Sequence, residues 1–294
     1  MSAKIISGTE IAKQIREELK QEIAELKEKH GVTPGLATVL VGGDPASKVY
    51  VGQKEKSCKD LGIYSERIDL PADTSEEDIL TLIEKLNKNP KIHGILVQLP
   101  LPKHINETRV LYTIDPAKDV DGFHPVNVGQ MVIGKRCFLP CTPHGILELL
   151  ARSDVQTEGA EVVIVGRSNI VGKPILNLML QKQPSGNATV TLCHTGTKDL
   201  AFHTKRADIL IVATGHPKTV TGDMVKEGVV VIDVGVNRIG KTPEGKAILV
   251  GDVDFDSVKE KAAAITPVPG GVGPMTIVML MKNTVAAARN TIMS

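Results

Sequence analysis

A chain of 294 residues exceeds the usual reach of one hydrophobic core, so its length implies two domains. Its 35 basic and 34 acidic residues nearly cancel and form no basic stripe or tail, which argues against a nucleic-acid or anionic-membrane partner. With no Trp, 3 Tyr and 4 Phe, it also lacks the aromatic platforms on which single-stranded bases stack. No apolar run approaches a membrane span, and the residues after Met1 lack the apolar core of a signal peptide. Cys58, Cys137, Cys141 and Cys193 form no matched Cys-x-x-Cys pairs. Free thiols in a reducing cytoplasm, with neither a disulfide framework nor a structural metal, are the expectation.

Residues 9–29 alternate apolar and charged positions at helical spacing and stop before Gly31. Leu36 to Gly42 reads as a buried strand. Asp44-Pro45 then opens a helix, with Asp as cap and Pro in the first helical position, and Gly62 closes it. A third helix is predicted over roughly 75–87 and a strand over Gly94 to Leu99. This alternation implies a mainly parallel sheet covered on both faces. Residues 115–145, rich in Pro and Gly, read as a long irregular loop of the kind that carries function. A second set of strands follows at Val162 to Val165, Thr189 to Cys193, Ile209 to Ala213, Val229 to Val234 and Ala263 to Thr266. The chain ends in an apolar helix from Met275 to about Thr291. The fold class is α/β in two domains, an N-terminal α/β domain and a C-terminal Rossmann-type dinucleotide-binding domain, with a cleft between them. The expected boundaries are 1–146, joined by the terminal helix 275–294, and 147–274.

The strand Glu161 to Val165 runs directly into Gly166-Arg-Ser-Asn-Ile-Val-Gly172 and a helix. A dinucleotide pyrophosphate sits in this context, at the helix N-terminus. The match to Gly-x-Gly-x-x-Gly is imperfect: Ser168 holds the second glycine position, and the last glycine comes one residue late. A tight turn in an α/β sheet is the plainer alternative, and the flanking strand and helix favour a cofactor. An NAD site places an acid at the end of the next strand to hold the ribose 2′-hydroxyl. Here that strand ends Leu192-Cys-His-Thr-Gly-Thr-Lys198, without one. Arg167, Thr195 and Lys198 supply donors and positive charge instead, so the cofactor reads as NADP. For Lys198 a solvated surface position is an equal alternative.

On a wheel of about 100° per residue, Ser47, Tyr50, Val51, Lys54, Cys58 and Leu61 share one arc of the helix from Pro45. Lys48, Lys56 and Lys59 fall outside it. Lys54 is thus a lysine on the inward stripe, one turn from Tyr50, and both can meet one ligand. A lysine snorkelling from the stripe's edge explains the wheel position equally well. Gln98 closes an apolar strand, where parallel sheets bind ligands, or is a satisfied core amide. Asp119 and Asp121 are candidate ligand groups or loop caps.

Six motifs then stand in order: Ser47-Lys-Val-Tyr-Val-Gly-Gln-Lys54, Val97-Gln-Leu-Pro-Leu-Pro102, Lys118-Asp-Val-Asp-Gly122, Pro140-Cys-Thr-Pro-His-Gly145, Val165-Gly-Arg-Ser-Asn-Ile-Val-Gly172 and Pro267-Val-Pro-Gly-Gly-Val-Gly-Pro-Met-Thr276. With them the chain resembles, over almost its whole length, the bifunctional methylenetetrahydrofolate dehydrogenase/cyclohydrolase family, known in bacteria as FolD. The resemblance implies oxidation of 5,10-methylenetetrahydrofolate by NADP to the methenyl cation. Hydrolysis to 10-formyltetrahydrofolate follows, a reaction of one-carbon metabolism and purine biosynthesis. It implies that Tyr50 packs on the aminobenzoate ring, that Lys54 is catalytic with Gln98 beside it, and that Asp121 holds the pterin. It implies further substrate contacts at Pro269, Gly270 and Gly273. Cofactor contacts are implied at Gly166, Arg167, Ser168, Thr195, Thr214, Gly215 and Val236. Thr195 stands where Ser is frequent in the family, and both offer a hydroxyl.

That assignment makes physical sense. Loss of hydride from a carbon between two nitrogens gives a resonance-stabilised cation, so the first step mainly needs positioning. Water addition needs proton transfer, which a lysine withdrawn from water can provide. A carboxylate such as Asp121 accepts paired N–H donors from a pterin. The resemblance, together with strand edges such as Val229 to Val234, implies a homodimer formed through the second domain. Two rivals are a shikimate dehydrogenase-like NADP oxidoreductase, which also pairs a catalytic Lys with an Asp, and a non-enzymatic NADP-sensing protein. The inward Lys54 speaks against the second.

Overall fold

The structure, a computed structural model, describes residues 3–242 and 245–293. The chain begins with a two-residue strand, β1 (Lys4–Ile5), and a long helix, α1 (Gly8–His30). Ile11, Ile15, Leu19, Ile23 and Leu26 recur at helical spacing along α1 and are all buried. Strands β2 (Gly35–Val41), β3 (Tyr64–Leu70) and β4 (Gly94–Val97) then alternate with helices α2 (Pro45–Leu61) and α3 (Glu76–Lys88). Two short helices follow, α4 (Glu107–Thr113) and α5 (Pro125–Val132).

The second half runs through α6 (Cys141–Arg152), β5 (Glu161–Val165), α7 (Gly172–Leu180), β6 (Thr189–Cys193), α8 (Leu200–Thr204), β7 (Ile209–Val212) and β8 (Val230–Asp233). A hairpin of β9 (Asn237–Lys241) and β10 (Ala247–Val250) comes next, then α9 (Phe255–Lys259), β11 (Ala264–Ile265) and α10 (Val272–Met293). Two compact units result. One holds Gln14–Cys141 and the chain from Ile277 onward; the other holds the chain up to Lys13 and Thr142–Thr276.

In the first of these units, β3, β2 and β4 form a parallel sheet in that order. The central strand β2 is buried at every residue. Ala37 and Val39 of β2 and Ile95 and Val97 of β4 pack with Ile79, Ile83 and Leu86 of α3. The edge strand β3 has no apolar run. Its Arg67 pairs with Asp69 at 2.8 Å and with Glu55 at 3.5 Å, and such charges protect an exposed edge. The ends of α2 follow from local chemistry. Asp44 accepts the Ser47 amide at 2.7 Å, Pro45 starts the helix, and Gly62 closes it with φ 73°.

In the other unit, six parallel strands stand in the order β1-β11-β8-β7-β5-β6. Alternate residues, including Val163 and Val165, Leu210 and Val212, and Val231, fill one buried cluster. Three expectations are corrected. The segment Val229 to Val234 is no edge: β8 lies between β11 and β7, and the edges are β1 and β6. The N-terminal strand pairs with β11, so the first residues join the later sheet rather than the 1–146 segment. The stretch 115–145 is not irregular throughout. Pro125 opens α5 behind His124, whose Nδ1 accepts the Val126 amide at 3.1 Å, and α6 begins at Cys141.

In α10 the buried Asn283 donates from Nδ2 to the carbonyls of Val120 at 2.8 Å and Leu139 at 3.0 Å. One amide group thus serves two loop carbonyls. Replacing Asn283 with Leu takes this donor from Leu139 and leaves Val120 only the weak Cys141 thiol at 3.4 Å, and a buried group left unsatisfied costs about 1–3 kcal/mol. Urea unfolding of Asn283→Leu is expected to show a lower midpoint with an unchanged slope. A wild-type midpoint would mean that other donors serve these carbonyls.

Candidate active site

The inward stripe of α2 is real but uneven. Ser47, Val51, Cys58 and Leu61 are buried, Lys54 is half-buried, and Lys48, Lys56 and Lys59 are exposed. Tyr50, expected to face inward, is 46% exposed, so its ring is open to a ligand rather than packed in the core. Lys54 Nζ donates to Gln98 Oε1 at 2.9 Å. Gln98 lies one residue beyond the end of β4, where its amide nitrogen donates to the Val39 carbonyl of β2. Its Nε2 is taken by the Leu99 carbonyl at 2.7 Å, which turns Oε1 toward the ammonium. Gln98 is thus neither a satisfied core amide nor a free surface group.

The segment Lys118 to Gly122 divides its work residue by residue. Lys118 Nζ donates to the carbonyls of Leu86 at 3.1 Å and Asn89 at 2.9 Å, at the end of α3. Asp119 is buried and caps the loop: it accepts from the amides of Phe123 and His124 and from Asn127 Nδ2, at 2.8–3.2 Å. Burial pushes its carboxyl up to about 6, against the pull of those donors. Val120 is core. Gly122 has φ 73°, and a Cβ there would meet the Pro140 nitrogen at 2.6 Å, so only glycine fits.

Asp121 is what remains. It is half-buried, and burial raises its carboxyl above the ordinary aspartate range. The Lys54 ammonium and the neighbouring Cys141 thiol, whose Sγ donates to the Val120 carbonyl at 3.4 Å, lower it in turn. Lys54, Gln98 and Asp121 therefore form one polar cluster. Cys141 is pushed well above the usual thiol range, by burial first and by the charge of Asp121 second, so it is a thiol rather than a nucleophile. Cys58 is likewise pushed up to about 12 by burial, and all four cysteines are free. Among the described residues no group of three or more His, Cys, Asp or Glu is placed to hold a metal ion.

The second cluster of candidate residues lies at the C-terminal ends of the parallel strands of the other unit. The chain turns back between β5 and its two neighbours β6 and β7, which is where open α/β sheets bind ligands. Gly166 leaves β5 with φ 124°, and a Cβ on it would stand 2.1 Å from the Ala213 carbonyl. On Gly172 a Cβ would stand 2.0 Å from the carbonyl of Gly166. Both glycines are required by the turn. Ser168 is a cap: its Oγ accepts the amides of Val171 at 3.1 Å and Gly172 at 3.4 Å. Its own proton is then left to donate outward. Arg167 and Thr195 are exposed, as is Lys198. Asp199, the first acid after β6, is spent as the cap of α8, accepting the Phe202 amide at 3.0 Å.

Thr214 and Gly215 follow β7, and the exposed Val236 follows β8. Pro269, Gly270 and Gly273 lie around the start of α10, where the Gly270 carbonyl accepts the Thr9 amide at 3.0 Å. Sequence reasoning missed the residues that hold these groups in place: Cys141 and Asn283 beside Asp121, and Asp233 and Asp252 in the sheet unit. An aspartate ending the apolar run Val230-Val-Ile-Asp233 was a signal of the same kind as Gln98.

Residues 6–121 match the family model described as tetrahydrofolate dehydrogenase/cyclohydrolase, catalytic domain, and residues 140–292 match that of its NAD(P)-binding domain. The bifunctional protein FolD of Dehalococcoides mccartyi is 65% identical over 292 residues, 99% of each chain. The crystal structure of the bifunctional FolD methylenetetrahydrofolate dehydrogenase/cyclohydrolase from Campylobacter jejuni is 48% identical. It superposes with a TM-score of 0.93 over 99% of this chain and 100% of that one. A Trypanosoma brucei methylenetetrahydrofolate dehydrogenase-cyclohydrolase, complexed with NADP and an inhibitor, is 39% identical with a TM-score of 0.94 over 100% of both chains. Shikimate dehydrogenase from Aquifex aeolicus, at 12% identity and a TM-score of 0.51 over 90% of this chain and 99% of that one, shares the fold alone. The chain belongs to the tetrahydrofolate dehydrogenase/cyclohydrolase family.

Proposed function

We propose that this enzyme oxidises 5,10-methylenetetrahydrofolate to 5,10-methenyltetrahydrofolate with NADP and then hydrolyses the product to 10-formyltetrahydrofolate. The observation that carries the reading is the Lys54–Gln98 hydrogen bond beside the half-buried Asp121, in a chain 65% identical to a bifunctional FolD protein. The shikimate dehydrogenase reading keeps only a fold likeness in its support, and parallel assays with both substrates separate the two.

The residues suit NADP. Arg167 and the hydroxyls of Ser168 and Thr195 offer donors at the strand ends, and no carboxylate stands free at the end of β6 to repel a 2′-phosphate. When bound, NADP accepts the hydride. Thr214, Gly215 and Val236 line the same strand ends and complete the cofactor site. In the other unit, Tyr50 stacks on the aminobenzoate ring and Asp121 accepts the N–H donors of the pterin. Lys54, steered by Gln98, exchanges the proton as water adds to the methenyl carbon and the ring opens.

The enzyme acts as a homodimer through the sheet unit. The β9–β10 hairpin belongs to neither larger sheet and exposes Ile239 and Ile248, and a two-stranded hairpin is marginal without a partner. The free cysteines fit a cytoplasmic location, and the formyl product suits one-carbon donation to purine biosynthesis. Light scattering at micromolar concentration is expected to give twice the chain mass. Ile239→Glu combined with Ile248→Glu should shift that mass toward the monomer. A wild-type monomer contradicts the assignment.

Arg167→Ala is expected to raise KM for NADP while leaving weak NAD use unchanged. Equal loss with both cofactors would show that Arg167 does not read the 2′-phosphate. Lys54→Met is expected to slow methenyl ring opening by about a hundred- to ten-thousand-fold, the usual contribution of positioned proton transfer. Hydride transfer, which needs no proton acceptor, should suffer less, so methenyltetrahydrofolate accumulates and its absorbance persists. Lys56→Met, on the exposed face, should leave both steps intact. Wild-type ring opening in Lys54→Met would remove Lys54 from the mechanism.

A further inference from the structure

Two enclosed aspartates of the sheet unit do work that the reaction as described does not use. Asp233 ends β8, and Asp252 follows β10; Asp252 is wholly buried and Asp233 nearly so. Neither meets a lysine or arginine among the hydrogen bonds and ion pairs of the described residues. Each is satisfied by neutral amide donors instead, most of them backbone. Asp252 Oδ2 accepts from two successive amides, Thr214 at 2.6 Å and Gly215 at 2.8 Å, and its Oδ1 accepts from Asn237 Nδ2 at 2.7 Å. Asp233 Oδ1 accepts the amides of Gly235 at 3.0 Å and Asp252 at 2.9 Å, and its Oδ2 accepts the Val253 amide at 3.0 Å.

The two carboxylates therefore act in series. Asp233 fixes the backbone at Asp252, and the Asp252 side chain fixes the loop after β7. The surrounding chain is shaped to them. A Cβ on Gly235 would fall 2.1 Å from Asp252 Oδ1, and one on Gly251 would fall 1.8 Å from Asp233 Oδ2. The loops so held carry Thr214, Gly215 and Val236, which the functional reading places against the dinucleotide. A buried carboxylate that accepts two amides fixes a loop far more firmly than water would, because losing it strands both donors. With their amides turned inward to Asp252, Thr214 and Gly215 also cannot serve as an anion-binding nest, which leaves that work to the Gly166 turn.

We propose that Asp252 is a positioning residue for the dinucleotide, acting through the Thr214–Gly215 loop, and that Asp233 positions Asp252 in turn. The inference rests on the functional reading above, and the family's two reactions provide its control. Ring opening of added methenyltetrahydrofolate uses no dinucleotide, so it reports folding and the Lys54 site alone.

The test is calorimetric titration of NADP together with kinetics of both steps. Asp252→Ala is expected to weaken NADP binding roughly tenfold or more, about the effect of one lost charge-assisted hydrogen bond, and to raise KM for NADP more than it lowers kcat. Ring opening should be unchanged. Asp252→Asn should recover much of the binding: its Oδ1 can accept both amides of the Thr214–Gly215 loop, and only the bond to Asn237 is lost, whose Nδ2 keeps the Gly251 carbonyl as a partner at 3.2 Å. Wild-type NADP affinity in Asp252→Ala overturns the proposal, as does equal loss in the Ala and Asn variants. Should Asp252→Ala fail to fold, Asn237→Ala removes the brace on Oδ1, together with a longer contact to the Gly251 carbonyl at 3.2 Å, and is expected to weaken NADP binding by a smaller factor, with no change there counting against the proposal. A wild-type protein that binds NADP but does not oxidise methylenetetrahydrofolate refutes the functional reading, while the affinity comparison still decides the role of Asp252. A wild-type protein that binds no NADP overturns both.

Discussion

An ammonium group half withdrawn from water must be given partners, and the first unit is arranged around supplying them to Lys54. Its neutral partner is Gln98 Oε1 at 2.9 Å, and its charged neighbour is Asp121. A glutamate at 98 would tie the lysine into an ion pair, whereas an amide fixes its direction without fixing its proton. The amide has only one useful orientation, because the Leu99 carbonyl takes Nε2. The parallel sheet makes the meeting possible. Val39 of β2 stands opposite Val97 of β4, so α2, which follows β2, and Gln98, which follows β4, emerge from the same end of adjacent strands. The Asp44 cap and Pro45 then fix where α2 starts, and hence which way Lys54 points.

The aspartates show how one side chain type takes opposite assignments. Asp119 is buried and committed to donors of its own loop and the helix after it, on both carboxylate oxygens. Two residues later, Asp121 meets a thiol and an ammonium and keeps acceptor capacity in hand. What separates them is the backbone between. Val120 is anchored in the core and its carbonyl is held by Asn283, so the residues on either side are presented to different surroundings. Cys141, kept protonated by burial, adds a weak donor without adding a reactive group.

Much of this was legible from the residues. Both ends of helix α2 are legible because Asp-Pro and Gly are local signals that tertiary structure has no reason to override. Apolar strands such as β2, β5 and β7 announced themselves because both their faces are buried. Strand β3 was invisible for the converse reason: Tyr-Ser-Glu-Arg-Ile-Asp-Leu is an edge whose pairing comes from β2, not from its own composition. Strand β1 is two residues long and exists only through β11, some 260 residues away in sequence. The error over Val229 to Val234 is of another kind. Periodicity reveals that a segment is a strand but not its place in the sheet, and β8 is interior. For the site, the wheel picked out Lys54 over Lys56. It could not show that Tyr50, on the same arc, is left uncovered, because exposure depends on what the rest of the chain fails to place there.

The same distinction governs the altered glycine fingerprint. A glycine at the second position is usually explained by the need for backbone to approach a pyrophosphate closely. Here that position is Ser168, and its hydroxyl accepts amides that the N-terminus of α7 would otherwise leave open. The hydroxyl proton of Ser168 is then left to point away from the turn, a directional donor where a glycine would present only backbone. Gly166 and Gly172 stay glycine for a reason internal to the chain, since backbone carbonyls stand where their side chains would be. The first and last glycines of the motif shape the turn, and the residue between them presents a hydroxyl. The departure at 168 thus leaves the turn intact and changes only the group it presents.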